Sequence, residues 1–146
     1  MTHASVLHDI PEERARELLA SHTLGRLVER VGDIVDIFPI NYWSDGHSVV
    51  FRTAAGTKLA GIATANEVLL ETDHVTEEFT WSVVARGTAR ILEDDDEIED
   101  AKQLELNPMA PTKKPTFVEI TAEQVTGREF VAGDDGGPEV EPETVA

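Results

Sequence analysis

Residues 79–92, FTWSVVARGTARIL, alternate between two kinds of side chain. Apolar or small residues occupy one set of alternate positions, namely Phe79, Trp81, Val83, Ala85, Gly87, Ala89 and Ile91. The intervening set is semi-polar and contains Thr80, Ser82, Val84, Arg86, Thr88 and Arg90. A period of two residues is typical of a β-strand with one face in a core, so this stretch predicts a long strand.

The segments on either side of this strand also predict mostly strands. Further strands are predicted in GRLVERVGDIVDIFPINYW (25–43, two strands joined by a turn at 31–33), HSVVFRT (47–53), EVLLETD (67–73), TFVEITAE (116–123) and VTGREFV (125–131). Helices are predicted from an N-cap at Asp9, with Pro11 and Glu12, to about Ser21, and at 56–66 and 96–106. Short, mostly antiparallel strands with few helices favour a mainly β fold, a small β-barrel.

The composition predicts one soluble domain. The chain has 146 residues, no cysteine and a net charge of −17. Twelve of its acidic residues lie in 93–100 and 133–146, and without them the charge would be about −5, which is ordinary for a soluble domain. We therefore predict a domain over 1–132 and an acidic flexible tail over 133–146. We expect neither a nucleic-acid partner nor a membrane partner, and we expect a cytoplasmic location.

The stretch VVFRTAAGTKL, residues 49–59, places two cations and two hydroxyls around a predicted strand-to-helix turn. Free amides at a helix N-terminus favour an anion, and Arg52, Thr53, Thr57 and Lys58 would add charge and donors. The turn lacks the glycine spacing of a Walker loop, and no G-x-G dinucleotide fingerprint occurs. A phosphate site in another architecture is one interpretation, and surface cations paired with acids are the alternative.

The motifs FPINYW, VVFRTAAGTKL, WSVVARGTARIL and VTGREF, in this order, resemble the flavin-binding split β-barrel proteins similar to pyridoxamine 5′-phosphate oxidase, in the short form common in actinobacteria. The resemblance covers roughly residues 8–131. It implies a split β-barrel of FMN-binding type and a homodimer with two flavin sites in clefts between the subunits.

The resemblance also implies the cofactor-binding residues. Arg52, Thr53, Thr57 and Lys58 match the motif that holds the cofactor phosphate. Pro39, Ile40 and Asn41 match the strand beside the isoalloxazine ring, and Trp81 and Ser82 match a strand that meets the cofactor across the cleft. The last two sets also have a simpler interpretation. Trp81 could be a core residue, and Asn41 could be a strand-end residue that bonds to a neighbouring backbone group.

The predicted function is an FMN-dependent oxidoreductase that transfers hydride to a small organic acceptor. A flavin reacts through its own ring, so no catalytic side chain is predicted. Alternatives are a deazaflavin-dependent reductase on the same fold and a flavin- or haem-binding protein without turnover. The acidic tail of the deazaflavin favours a basic groove. FMN is preferred because the domain carries a charge of about −5 and has no extra lysine near the predicted phosphate site. No substrate is predicted.

Two further features of the sequence argue against particular functions. The family oxidases carry Arg-x-His near the chain end for the substrate phosphate, whereas this chain has Glu129 and Phe130 after Arg128, which argues against pyridoxamine-phosphate oxidase activity. The five histidines, at positions 3, 8, 22, 47 and 74, show no ligand spacing, so no metal site is predicted.

Overall fold

The computed structural model describes residues 5–53, 67–104, 106 and 116–132. These residues form eight strands and two helices: β1 (Ser5–Ile10), α1 (Glu12–Ala20), β2 (Leu24–Val31), β3 (Ile34–Asn41), β4 (Trp43–Ser44), β5 (Ser48–Thr53), β6 (Glu67–Val75), β7 (Phe79–Ile91), α2 (Asp95–Lys102) and β8 (Thr116–Ala132). The prediction of a mainly β chain is confirmed. The predicted helix at 56–66 and the predicted tail at 133–146 lie outside the described residues.

All eight strands belong to one antiparallel sheet with the order β3-β2-β6-β7-β8-β5-β4, and β1 pairs with the second half of β8. The strands at the two ends of this order, β3 and β4, follow one another in the chain and are separated by Tyr42 alone. The sheet must therefore curl until its first and last strands meet. This arrangement confirms the predicted split β-barrel.

Tyr42 is anchored where the sheet closes. Its side chain is 1% exposed, and its hydroxyl donates to the carbonyl oxygen of Leu19 at 2.7 Å. Its backbone N–H donates to the carbonyl oxygen of Thr23 at 2.8 Å. Opposite the ring stands Gly25, where a Cβ would lie 3.3 Å from Cε2 of Tyr42 and 2.7 Å from the carbonyl oxygen of Glu71. Burial raises the pKa of Tyr42 to about 12, so its hydroxyl stays a donor.

The core has two parts. Ala15, Leu18 and Leu19 form the buried face of α1 and close the main core inside the barrel. This face follows the helical spacing that the sequence shows. Outside the barrel, α2 covers a smaller apolar cluster that includes Val50 and Phe117. β5 therefore contributes to both cores, because successive side chains on a strand point to opposite faces.

β8 is a single strand of 17 residues, so the prediction of two separate strands over 116–131 is wrong. The predicted break corresponds to a bulge: Arg86 pairs with Gln124 and Gly87 with Ala122, which leaves Glu123 as the extra residue. Arg16 of α1 donates to the carbonyl oxygens of Ala122 at 3.0 Å and Glu123 at 3.4 Å. A side chain distant in sequence thus satisfies the carbonyls of the bulge.

The helix ends differ in part from prediction. Asp9 does not cap α1 but lies in β1 opposite Arg128, and the residue before the helix is Pro11, which makes no side-chain capping bond. β1 itself was not predicted, because its pairing with β8 depends on a distant strand. α2 ends at Lys102 instead of 106 and is capped by Asp94, which accepts from the N–H of Asp96 at 2.8 Å.

The turn between β2 and β3 agrees with prediction. Gly32 has a φ of +63°, a conformation that glycine adopts without a steric penalty. The eight residues of β2 pair in register with the eight of β3. The tight turn thus sets the register of the first hairpin.

We expect Tyr42→Phe to lower the free energy of unfolding by about 1–2 kcal/mol, because the carbonyl of Leu19 loses its buried donor. Urea unfolding followed by circular dichroism measures this change. Thr88→Val is the matched control, since it removes a hydroxyl from an exposed strand position. Equal unfolding free energies for Tyr42→Phe and wild type would contradict the role assigned to this hydrogen bond.

Candidate functional site

The predicted site residues fall into three groups. Pro39, Ile40 and Asn41 end β3, while Arg52 and Thr53 end β5. Trp81 and Ser82 lie near the start of β7. Thr57 and Lys58 lie outside the described residues.

The first two groups flank the place where β3 and β5 diverge, which we call the opening. Trp43 pairs with Val50, and continuation of this register would place Asn41 opposite Arg52. Instead, the chain before Tyr42 leaves β5 and pairs with β2, so that Asn41 stands opposite Leu24. Asn41 lies two residues before Trp43, and Arg52 lies two residues after Val50. The two residues therefore stand on opposite sides of the place where β3 and β5 diverge.

Arg52 has a side-chain donor at this opening that no described residue satisfies. The residue is half-buried, and its Nε is buried with no hydrogen-bond partner in the part of the chain that the structure describes. A buried donor without a partner costs about 1–3 kcal/mol. An anion at the opening would remove this cost and gain a charge-assisted hydrogen bond. The geometry thus suits a phosphate or carboxylate group.

The third group is distant from this opening within one protomer. Arg52 pairs with Phe117 at the start of β8, whereas Ser82 pairs with Arg128 near its end. The segment of β8 between these two partners corresponds to about 36 Å of extended strand. Arg52 and Ser82 of one chain are therefore poorly placed to contact the same small ligand.

Trp81 and its neighbour Ser82 point to opposite sides of the sheet. Trp81 is 5% exposed and belongs to the main core, with the rings of His22 and His74 against it at centroid distances of 4.8 and 6.1 Å. Ser82 is half-buried on the outer face. Of the two residues, Ser82 is the one that faces away from the barrel core.

A charged cluster that the sequence analysis missed shares the outer face with Ser82. Asp73 lies directly opposite Ser82. Arg26 bridges two acids, with Nη1 3.2 Å from Oε1 of Glu71 and Nη2 3.5 Å from Oδ1 of Asp73. The acids two residues apart in LLETDH were a signal for a shared strand face, but Arg26 joins them only through the pairing of β2 with β6.

Glu71 is the perturbed acid of this cluster. Burial, followed by a hydrogen bond and charge repulsion from Asp73, raises the pKa of Glu71 to about 7, although Arg26 acts in the opposite direction. A carboxyl group with this pKa can hold or release a proton near neutral pH. The outer face next to Ser82 therefore carries a proton that exchanges near neutrality.

A cavity of about 640 Å³ lies elsewhere, between α1 and the turn before β5. It is lined by Glu13, Arg16, Glu17, Ala20, Asp45 and His47. None of the predicted site residues that the structure describes lines it. Arg16 already donates to backbone carbonyls and to Glu12, so it offers little to a ligand.

The described residues lack two other kinds of site. No group of three or more His, Asp or Glu side chains among them could hold a metal ion. No helix within the same residues is long and apolar enough to cross a membrane.

Residues 11–129 match the family model of pyridoxamine 5′-phosphate oxidase. The chain belongs to this family. An uncharacterized relative from Mycobacterium tuberculosis is 32% identical over 90 residues, which cover 62% of this chain and 82% of the relative. The family match agrees with the resemblance carried by the central motifs.

Solved structures of family relatives match the fold over most of the chain. A Corynebacterium glutamicum protein, provisionally named a pyridoxamine 5′-phosphate oxidase, is 43% identical with a TM-score of 0.79 over 86% of this chain and 99% of that one. The FAD binding protein of Mycobacterium smegmatis is 39% identical with a TM-score of 0.73, over 86% of this chain and 100% of that one. The described barrel is therefore shared with a protein that binds a flavin.

The raised pKa of Glu71 predicts a pH dependence of stability. The folded state binds this proton more tightly than the unfolded state, whose pKa is near 4.5, so the contribution of Glu71 to stability falls as pH rises from about 4.5 through 7. We expect Glu71→Gln to remove this part of the decline. Urea unfolding between pH 4.5 and 8 measures it.

Asp73→Asn provides the matched comparison. Removing the neighbouring charge should lower the pKa of Glu71, as followed by the NMR shift of its carboxyl carbon. An unchanged titration midpoint in Asp73→Asn would contradict the coupling between the two acids.

Proposed function

We propose that this protein binds a flavin and that the flavin phosphate lies at the opening between β3 and β5. The observation that carries the proposal is the Nε of Arg52 at that opening, which is buried and has no hydrogen-bond partner among the described residues. Asn41 on the opposite side offers both a donor and an acceptor, which suits the polar edge of a flavin ring. Thr57 and Lys58 follow Arg52 closely in the sequence, and we propose that they also bind the phosphate.

The form of the flavin is a second part of the proposal. The sequence favours FMN as the cofactor. FAD is a second candidate, because the 39% identical relative is an FAD binding protein. Both contain the riboflavin phosphate that Arg52 would contact. A deazaflavin coenzyme remains the alternative on the same fold, and titration with FMN, FAD and the deazaflavin under one set of conditions distinguishes the three.

We also propose that the working unit is a homodimer with the cofactor in a cleft between subunits. The long separation of Arg52 and Ser82 along β8 supports this, because two protomers can bring the two residues together where one does not. The hairpin of β2 and β3 adds support, since Ile34, Val35 and Ile37 are 56–65% exposed. A second copy would cover this apolar surface.

The proposed activity is hydride transfer from a reduced nicotinamide to a small organic acceptor. A bound flavin supplies the hydride chemistry, and this chain supplies the binding site and the exclusion of water. Glu129 and Phe130 follow Arg128 where the family oxidases carry Arg-x-His for the substrate phosphate, so pyridoxamine 5′-phosphate is not the proposed substrate. Binding of flavin or haem without turnover is the alternative, and steady-state oxidation of NADH or NADPH by the flavin-loaded protein distinguishes turnover from binding alone.

We expect Arg52→Ala to raise the Kd for FMN about 10- to 100-fold, because a charge-assisted hydrogen bond contributes about 1.5–3 kcal/mol. Quenching of flavin fluorescence on titration measures the Kd. Arg14→Ala is the matched control, since Arg14 is exposed on α1 and forms an ion pair only with Glu17 of the same helix among the described residues. Equal affinities of the Arg52→Ala variant and the control would contradict the proposed phosphate site.

A mixing experiment tests the shared site. Arg52→Ala removes the phosphate contact and Ser82→Trp fills the opposite wall, so each variant alone should bind flavin weakly. After unfolding and refolding of an equal mixture, random pairing makes half of the dimers mixed, and each mixed dimer carries one intact site. We expect about a quarter of the tight flavin sites to return. No recovery beyond the sum of the two variants would contradict a cleft between subunits.

A further inference from the structure

Two histidines that are distant in sequence meet at one end of the barrel. His22 lies between α1 and β2, and His74 lies near the end of β6. Their ring centroids are 5.5 Å apart with a 74° angle between the planes. Trp81 packs against both rings. His74 is exposed and His22 half-buried, so solvent reaches the pair.

The hydrogen bonds of His22 indicate its tautomer. The hydroxyl of Ser21 donates its single hydrogen to the carbonyl oxygen of Leu18 at 2.8 Å. The contact between this Oγ and Nδ1 of His22 at 3.0 Å then requires the ring nitrogen to donate. Neutral His22 therefore keeps its free lone pair on Nε2. Metal-binding histidines commonly have this arrangement, in which the other ring nitrogen donates to an oxygen.

The ring spacing suits two ligands of one metal ion. With metal–nitrogen bonds of 2.0–2.1 Å and a tetrahedral angle, two imidazole centroids lie about 5 Å apart. The observed 5.5 Å is close to this value. Imidazole nitrogen is a preferred ligand of zinc, nickel and copper. Because Trp81 packs against both rings, little side-chain freedom would be lost on binding.

We propose that His22 and His74 form a binding site for a divalent ion of the zinc, nickel and copper class, with water as the remaining ligands. Within one protomer the site is distant from the opening at Arg52, and it lies on the opposite side of the sheet from Ser82. It does not depend on the proposed flavin function. Trp81 next to the pair provides an intrinsic probe of occupancy.

Quenching of Trp81 fluorescence by Cu²⁺ tests the proposal. The chain has two tryptophans, so Trp43→Phe leaves Trp81 as the only one. His3→Ala belongs in the same background, because a histidine at the third position of a chain can bind copper with the N-terminal amine. The untagged protein is titrated with CuCl₂ at pH 7.5 and at pH 5, and isothermal titration with ZnCl₂ provides an independent measurement.

We expect saturable quenching at pH 7.5 that is lost at pH 5, where protonated imidazole does not bind metal. His74→Ala should raise the Kd for Cu²⁺ and for Zn²⁺ at least tenfold, and His22→Ala should do the same. His47→Ala, which removes a histidine outside the pair, should leave both values unchanged. His74 is exposed, so its variant should remain folded even if His22→Ala does not.

Three results would overturn the proposal. They are unsaturable quenching, equal Kd values for His74→Ala and the parent protein, and a loss of binding in His47→Ala as large as in His74→Ala. The unfolding midpoint of each variant, measured alongside, shows whether a weaker Kd comes from the missing ligand in a folded protein.

Discussion

The attachment of Tyr42 between the first and last strands of the sheet is the constraint on which the rest of the structure depends. One residue separates β3 from β4, so the sheet has to close on itself. The hydroxyl of Tyr42 donates to the carbonyl of Leu19 in α1, and its backbone N–H donates to the carbonyl of Thr23 just before β2. The chain can therefore change from pairing with β5 to pairing with β2 at this residue.

This change of partner also creates the candidate site. Because β3 diverges from β5 just before Tyr42, Asn41 and Arg52 are left on the two sides of an opening instead of forming a strand pair. The Nε of Arg52 is buried there without a partner among the described residues. Ser82 and its charged neighbours lie near the other end of β8, where a second protomer would bring them to the opening. The proposed dimer and the proposed flavin site are thus connected by one geometric argument.

Local patterns in the sequence predict much of the fold. The alternation over 79–91 defines β7, and the glycine at position 32 defines the first hairpin. The continuity of β8 was missed, because its bulge interrupts the alternation and is held by Arg16 from a distant helix. Asp9 resembled a helix cap because its pairing with Arg128 depends on a strand at the other end of the chain.

The candidate site shows the same difference between local and distant information. The central motifs name Asn41, Arg52 and Ser82, and the register of the strands shows which of them share an opening. The cluster of Arg26, Glu71 and Asp73 and the pair of His22 and His74 each join residues from different segments of the chain. Such contacts become visible only once the strand order is known.

A crystal structure of the protein with bound FMN would test the central claim most directly. The account predicts a phosphate oxygen within hydrogen-bond distance of the Arg52 guanidinium of one protomer, and the same flavin next to Ser82 of the partner subunit. A flavin phosphate held away from Arg52, or a flavin enclosed by a single protomer, would contradict the account.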